Sequence, residues 1–392
     1  MKAIVLSEQG AAVFDRTKIK FNETVCHDQI YLHPQFGGTV QRDFYDRHTA
    51  INDVSQQLTS HATKAVIVVG ERRSGKTSFV KHIDTFFGEP AQRLDFVTIP
   101  WGGIQSWKEL AREVLQAVHI DIDRSPGMQL AGAEDPMTGL ETPQEFIQAL
   151  NKLLTNALNR RFVVAIDEFD SILHDAHDAR QVVELASALV NTSSLDIQLL
   201  LTMARIPELL ADTPLAPPSS PVITLRPFPK ADMEQMILEI VGDQHTIPAD
   251  DLAALYALSG GWPYYTKLVL DGMADLPPGP DQVEQALQAA ICNESAAHRI
   301  ANIYEVHFDD SEKKLVLLLA EGRGCITAAE MNRFGSIVQS AAQRLAARDY
   351  VEIDPDGECR FRIGLLGPWF REWSRYDLEV DRYVGDLPHR VE

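Results

Sequence analysis

The chain has 392 residues, which at roughly 100 to 200 residues per domain accommodates two or three domains with full hydrophobic cores. Apolar residues make up 45% and charged residues 23%, ordinary globular usage that excludes a disordered or low-complexity chain. Fifty-six acidic against 36 basic side chains leave a formal charge of −20, so the molecule as a whole repels polyanions, and contact with DNA or an anionic membrane would need a local basic patch.

Residues 1–40 mix short apolar pieces such as Ala3 to Leu6 with polar breaks and read only as an N-terminal extension. The spacing of Phe44, Ile51, Val54 and Leu58 predicts a loop entering an amphipathic helix that ends before Lys64. Ala65 to Val69 is a continuous β-branched run, suited to a strand buried on both faces of a parallel sheet. After a glycine-rich turn, Phe79, Val80, Ile83 and Phe87 recur at helical spacing until Gly88 stops the helix. The alternation continues with a strand at Leu94 to Ile99, a helix at Trp107 to Val118 and an acidic, Gly- and Pro-rich insertion at 121–141. A helix from Pro143 to about Asn159 follows, its start marked by a capping box of Thr142 and Glu145. Phe162 to Ile166, Ile197 to Thr202 and Val222 to Leu225 are further strands, with a helix at Gln181 to Val190.

Beyond residue 228 the pattern turns to helices alone, at 230–241, 249–258, 263–274 and 281–293. From Ser311 it becomes three helices, the last two over Thr327 to Asn332 and Ser336 to Arg348, then two short strands around Asp354 to Gly357. Thr327 with Glu330, and Ser336 with Gln339, satisfy the capping-box spacing. The expected architecture is α/β, a mostly parallel sheet with a helical lid subdomain and a C-terminal winged helix-turn-helix. Its expected bounds are a 1–40 extension, a 41–228 α/β core, a 229–305 lid and a 306–392 winged domain and tail.

Cys26, Cys292, Cys325 and Cys359 show no CxxC spacing, so neither a zinc knuckle nor a disulfide framework is indicated, and a reducing cytoplasm is the expected location. No apolar run approaches the ~18 residues that cross a bilayer, so no membrane partner is expected. Met1 to Phe14 lacks the pattern of a secretory signal.

Gly70-Glu71-Arg72-Arg73-Ser74-Gly75-Lys76-Thr77 fits GxxxxGK followed by Ser or Thr without mismatch, between a buried strand and a helix. Glycines let backbone N–H groups curl around phosphate oxygens at a helix N-terminus, so Gly70 to Ser78 is the expected binding stretch for ATP or ADP. Lys76 is expected to neutralise the β and γ phosphates, and Thr77 to offer its hydroxyl to Mg²⁺. The strand Phe162 to Ile166 delivers Asp167 and Glu168 at its C-terminal end, where α/β sheets bind ligands. Asp167 is expected in the Mg²⁺ shell, and Glu168 as the carboxylate that polarises the attacking water. Either Thr202 or Arg205, after the strand at 197, is a candidate γ-phosphate sensor, with a surface ion pair the alternative for Arg205. Asp170, His174, Asp175, His177 and Asp178 crowd together without metal-ligand spacing and read as a solvated loop.

On these motifs the chain resembles, over roughly residues 40–373, the AAA+-related branch of P-loop ATPases that holds the STAND signal-transduction ATPases and the origin-recognition-complex-like initiator and loader ATPases. Phe44-Tyr45-Asp46-Arg47 is similar to the Phe-x-x-Arg entry of that branch, which lines the nucleotide pocket; Asp46 stands where glycine is usual. Gly261-Trp262-Pro263 is similar to the STAND Gly-x-Pro motif, whose proline packs near the adenine; a plain Gly–Pro helix start after Ser259 is the alternative. Initiator-type relatives usually carry a sensor arginine at this helix start, where the chain has Tyr264 and, one turn later, Lys267. A winged helix occurs in both branches. Between Asp309 and Trp373 the chain has eleven acidic and nine basic residues, a balance opposite to that of a DNA reader, which favours packing or protein contact over DNA. The resemblance implies a slow ATP-driven switch with nucleotide-dependent self-association and a separately encoded effector or partner protein. The alternatives are a DNA-associated AAA+ loader or transposition-type regulator, and a nucleotide-binding scaffold without turnover.

Overall fold

A computed structural model of the chain describes residues 47–374, apart from 61, 84–93, 100–103, 124–140, 156–160, 193–195, 242–246, 275, 277–280 and 322–323. The N-terminal extension, Phe44, the expected helix stop at Gly88 and most of the 121–141 insertion lie outside the described residues. The chain divides into two compact units, one of residues 38–227 and one that holds residues 228–392.

In the first unit, β1 (Ala65–Val69), β2 (Leu94–Ile99), β3 (Arg161–Ile166), β4 (Ile197–Met203) and β5 (Val222–Thr224) form a parallel sheet in the order β2-β3-β4-β1-β5. Alternate strand residues point to opposite faces, so a strand covered on both sides must be apolar throughout. In β1, Ala65 and Ile67 enter a core with residues of α3 (Trp107–Asp123), α4 (Pro143–Thr155) and α6 (Ala179–Asn191). Val66 and Val68 enter a second core with residues of α1 (His48–Thr59) and α2 (Lys76–Ile83). The expected capping box of α4 forms, with Thr142 N–H donating to Glu145 Oε2 at 3.2 Å and Glu145 N–H to Thr142 Oγ1 at 3.3 Å. The decisive feature of the sheet is non-local: β4 sits between β1 and β3, with Val69 opposite Met203 and Ile166 opposite Leu201. The C-terminal ends of these three strands therefore stand side by side.

The expected solvated loop after the acidic pair is instead a helix, α5 (Phe169–Asp175), because Phe169, Ile172 and Leu173 share one buried face. Asp178 accepts the Trp107 N–H at 3.0 Å, and His174 bonds Asp175 at 3.0 Å. Among the described residues no group of three His, Cys, Asp or Glu side chains could hold a metal, and no helix is long and apolar enough to cross a membrane.

The second unit begins with α7 (Lys230–Val241), α8 (Ala249–Ser259), α9 (Pro263–Ala274), α10 (Gln282–Ile291) and α11 (Glu294–Asn302). After a π turn at Ile303–His307 come α12 (Asp310–Glu321), β6 (Cys325–Ile326), α13 (Ala328–Phe334) and α14 (Ser336–Ala347). The unit continues through β7 (Val351–Ile353) and β8 (Cys359–Phe361) to α15 (Leu366–Ser374), with an antiparallel sheet in the order β6-β8-β7. The spacing of apolar residues predicted neither α11, α15 nor β6. Thr327 and Glu330 form their capping box, but Ser336 does not cap α14: Gly335 takes that position at φ 82°, and Gln339 donates instead to Asn332 at 2.6 Å.

The α8–α9 turn joins these parts. Gly260 and Gly261 adopt φ of 60° and 80°, and a side chain on Gly261 would meet the Phe228 carbonyl oxygen at 2.2 Å. Trp262 stacks on Tyr350 with ring centroids 5.7 Å apart, while Gly364 N–H and Leu365 N–H donate to the Ala257 and Leu258 carbonyls at 3.1 and 3.0 Å.

Glu312, 3% exposed, accepts from Arg344 Nε at 3.3 Å and Arg348 Nη1 at 3.1 Å. Replacing Glu312 with alanine takes a buried carboxylate away from both Arg344 and Arg348, and is expected to lower the stability of this unit by about 3 kcal/mol, with Glu312→Gln losing less. Urea unfolding followed by tryptophan fluorescence measures this; a loss under about 1 kcal/mol would show the network to be dispensable.

Candidate functional site

The turn after β1 is shaped by three residues. Gly70 N–H donates to the Met203 carbonyl at 3.1 Å, and a Cβ on Gly70 would stand 2.5 Å from Ser74 Oγ and 3.0 Å from the Leu225 carbonyl oxygen. Arg73 and Gly75 both take positive φ, 72° and 94°, which coils the loop into α2 at Lys76. The first-turn N–H groups of any α-helix lack intrahelical acceptors, so this helix start carries a row of donors. The Lys76 ammonium is buried and donates to the Gly70 carbonyl at 2.7 Å and the Glu71 carbonyl at 3.2 Å. Burial lowers its pKa, against the pull of Glu168, Asp170, Asp167 and Glu71, which favours the charged form.

Asp167, at the end of β3, is gripped by two hydroxyls. Thr77 Oγ1 donates to Oδ2 at 2.7 Å, and Thr202 Oγ1 donates to Oδ1 at 2.5 Å. The same Thr202 oxygen accepts the Glu168 N–H at 2.9 Å. Glu168 adopts the left-handed conformation, φ 48° and ψ 48°, at a cost of about 1 to 2 kcal/mol for a residue with a side chain. Burial raises the pKa of its carboxyl, opposed by Arg72 and Lys76. Two of the sequence candidates are thus placed differently from each other. Thr202 is fully buried, and its hydroxyl is committed to Asp167 and Glu168. Arg205 is exposed beyond β4, where its N–H points to Asp170 Oδ2 at 3.4 Å.

Arg47 reaches this loop from the start of α1: Nη2 donates to the Ser74 carbonyl at 2.8 Å and Nη1 to the Arg226 carbonyl at 2.5 Å. It braces the outside of the turn. Glu71, Arg72, Thr77 and Ser78 are half-buried around it.

Residues 59–210 match the AAA domain family. Among solved structures, a Walker-type ATPase of Pyrococcus abyssi is similar at a TM-score of 0.60 and 15% identity, over 85% of this chain and 98% of that one. The Aeropyrum pernix ORC2 protein, solved as ADPNP and ADP complexes, is similar at a TM-score of 0.56 and 15% identity, over 91% of this chain and 96% of that one. No curated protein matches the chain. The parallel sheet is thus that of a P-loop NTPase fold, followed by a helical C-terminal region.

The turn after β1 and the end of β3 offer a donor set that fits a magnesium nucleotide. Among the described residues, Ser74 Oγ is fully buried without a hydrogen-bond partner, and nothing stands within 4 Å of the position a Gly75 Cβ would take. Thr77 and Asp167 supply the hydroxyl and carboxylate oxygens that a hard cation prefers. Pro263 opens α9 in the second unit, where Tyr264 is buried under Arg299, whose guanidinium carbon lies 5.6 Å from the ring centroid. The sequence reading missed two residues here: Thr202 as the strut behind both carboxylates, and Asp170, which accepts the Ala204 N–H at 2.8 Å. The pairing of β4 with β3 sets Thr202 and Ala204 beside the acidic turn.

Proposed function

We propose that the chain is an ATP-binding and hydrolysing AAA+/STAND-like switch that couples nucleotide state to self-assembly or to a separate partner protein. The observation that carries this reading is the continuous bonding from Thr77 through Asp167 and Thr202 to Glu168, beside the buried Lys76 ammonium. The N–H row at the start of α2 and Lys76 bind the phosphates. Thr77 and Asp167 hold Mg²⁺, which when bound neutralises charge on the β and γ phosphate oxygens. Glu168 accepts a proton from the attacking water. Arg205 senses the γ-phosphate, Phe44 and Arg47 support the pocket, and Pro263 contacts the base. Turnover is slow in the isolated chain, since an arginine supplied in trans adds about 10³ to 10⁵ in rate. We assign residues 41–228 to the ATPase core, 229–305 to a lid and 306–392 to a winged helix and tail, in a cytoplasmic protein.

The alternative, a DNA-associated loader or regulator, would use α12 to β8 as a winged helix on duplex DNA. The charges there support protein contact instead. Arg344 and Arg348 bond Glu312, Arg362 bonds Asp349 at 2.7 Å, and Arg360 pairs with Glu352 across the hairpin. Phosphate release with Mg-ATP, and native mass spectra with ADP and with a slowly hydrolysed ATP analogue, test the switch: turnover and a nucleotide-dependent change of assembly are expected. Filter binding of duplex DNA over a salt series is expected to detect no ATP-dependent affinity; a steep salt slope would select the loader reading.

A further inference from the structure

The acidic turn at 167–170 and the exit of β4 at 202–205 are stitched together at both ends. At one end Thr202 bonds Asp167 and the Glu168 N–H. At the other, Asp170 Oδ2 accepts the Ala204 N–H at 2.8 Å and lies 3.4 Å from the Arg205 nitrogen. Asp170 stands in the first turn of α5, whose Phe169, Ile172 and Leu173 are buried in the core, so the carboxylate is mounted on a fixed element. Between the two bonds stands Glu168 in its left-handed conformation, which persists only where the surroundings over-determine it.

We propose that Asp170 is a positioning residue: by holding the Ala204 N–H it seats the exit of β4 against the acidic turn, and so keeps the Thr202 hydroxyl on Asp167 and on the backbone of Glu168. The proposal rests on the ATPase reading for its effect on turnover, but the clamp itself is a statement about one amide. Asp170 touches neither phosphate nor water in this scheme. It acts through Thr202, and its loss loosens the two carboxylates together while leaving the phosphate-binding turn intact. The same clamp ties the backbone of Arg205 to the acidic pair, so a movement at either is felt at the other.

Two readouts test this in the full-length protein. Amide exchange is expected to be slow at Ala204 in the wild type, about tenfold or more faster in Asp170→Ala, and about fivefold faster in Asp170→Asn, whose neutral oxygen is a weaker acceptor. In phosphate release, Asp170→Ala is expected to lower kcat about 10- to 100-fold with the Kd for a fluorescent ATP analogue within about threefold of wild type, and Asp170→Asn to recover most of the rate. Equal Ala204 exchange in wild type and variants overturns the clamp, as does a kcat in Asp170→Ala equal to wild type. Should Asp170→Ala not fold, unchanged Ala204 exchange in Asp170→Asn is the overturning result. If the wild type releases no phosphate, the ATPase reading falls, and the exchange data alone decide whether Asp170 holds the strand exit.

Discussion

Replacing Lys76 with alanine is expected to raise the Kd for both ATP and ADP about a hundredfold or more, close to loss of binding at ordinary concentrations. The reason is the company the ammonium keeps. It is buried, and its two contacts are neutral carbonyl oxygens of its own loop, so its charge is compensated at a distance, by Glu168, Asp170, Asp167 and Glu71. A phosphate tail arriving at the start of α2 would give that cation its first directly bonded anion. Truncating one member of a buried, hydrogen-bonded charge pair costs about 2 to 5 kcal/mol, and each 1.4 kcal/mol is about tenfold in affinity. Titration with a fluorescent adenine nucleotide measures the change. A Kd within about threefold of wild type would remove Lys76 from the site and the nucleotide from the loop.

Glu168→Gln is expected to separate binding from turnover. The substitution keeps the shape of the side chain and removes its proton-accepting charge, so kcat should fall about 10² to 10⁴-fold while ATP remains bound. The local bonding supports this separation: the Glu168 N–H is fixed to Thr202, and glutamine keeps a side-chain oxygen that can accept from Ser171 Oγ as Glu168 Oε2 does at 3.4 Å, so the variant is expected to hold the same φ and ψ. Single-turnover phosphate release, with native mass spectra of the same sample, should find an ATP-loaded species that persists. Unchanged phosphate release would mean that Glu168 is not the base. If wild type and variant both fail to turn over yet both hold ATP, the chain is a nucleotide-binding scaffold.

The strand–turn–helix at Gly70 to Thr77 and the strand that ends in Asp167 and Glu168 were legible because each is a local pattern: an apolar run long enough for one strand, ending in a glycine-rich turn or in carboxylates. The strand order was not, because pairing β4 between β1 and β3 is a choice among distant segments that no window of sequence contains. The bonds of Thr202 and Asp170 were hidden for that reason: one residue was offered as a candidate γ-phosphate sensor and the other as part of a solvated loop, and their bonds to Asp167, Glu168 and Ala204 depend on a neighbouring strand. α5 had a signal that went unused. Phe169, Ile172 and Leu173 stand at i, i+3 and i+4, but the acids and histidines around them obscured the stripe. α11 was hidden differently, since its buried face includes the small residues Ala296, Ala297 and Ala301. Ser336 failed as a cap because the glycine before it, at positive φ, already stands outside the helix, and Ser336 has become its first residue.

The stacking of Trp262 on Tyr350, with the paired carbonyls of Ala257 and Leu258 beside it, has a practical corollary for anyone dissecting the molecule. A fragment stopped after α12 would strip Tyr350 from a large buried indole and remove the donors that bond the Ala257 and Leu258 carbonyls, so it is expected to precipitate rather than persist as a free-standing bundle. The hairpin and its helices are thus the other half of the bundle's interior, and the smallest soluble piece from this end of the chain runs from Phe228 through α15.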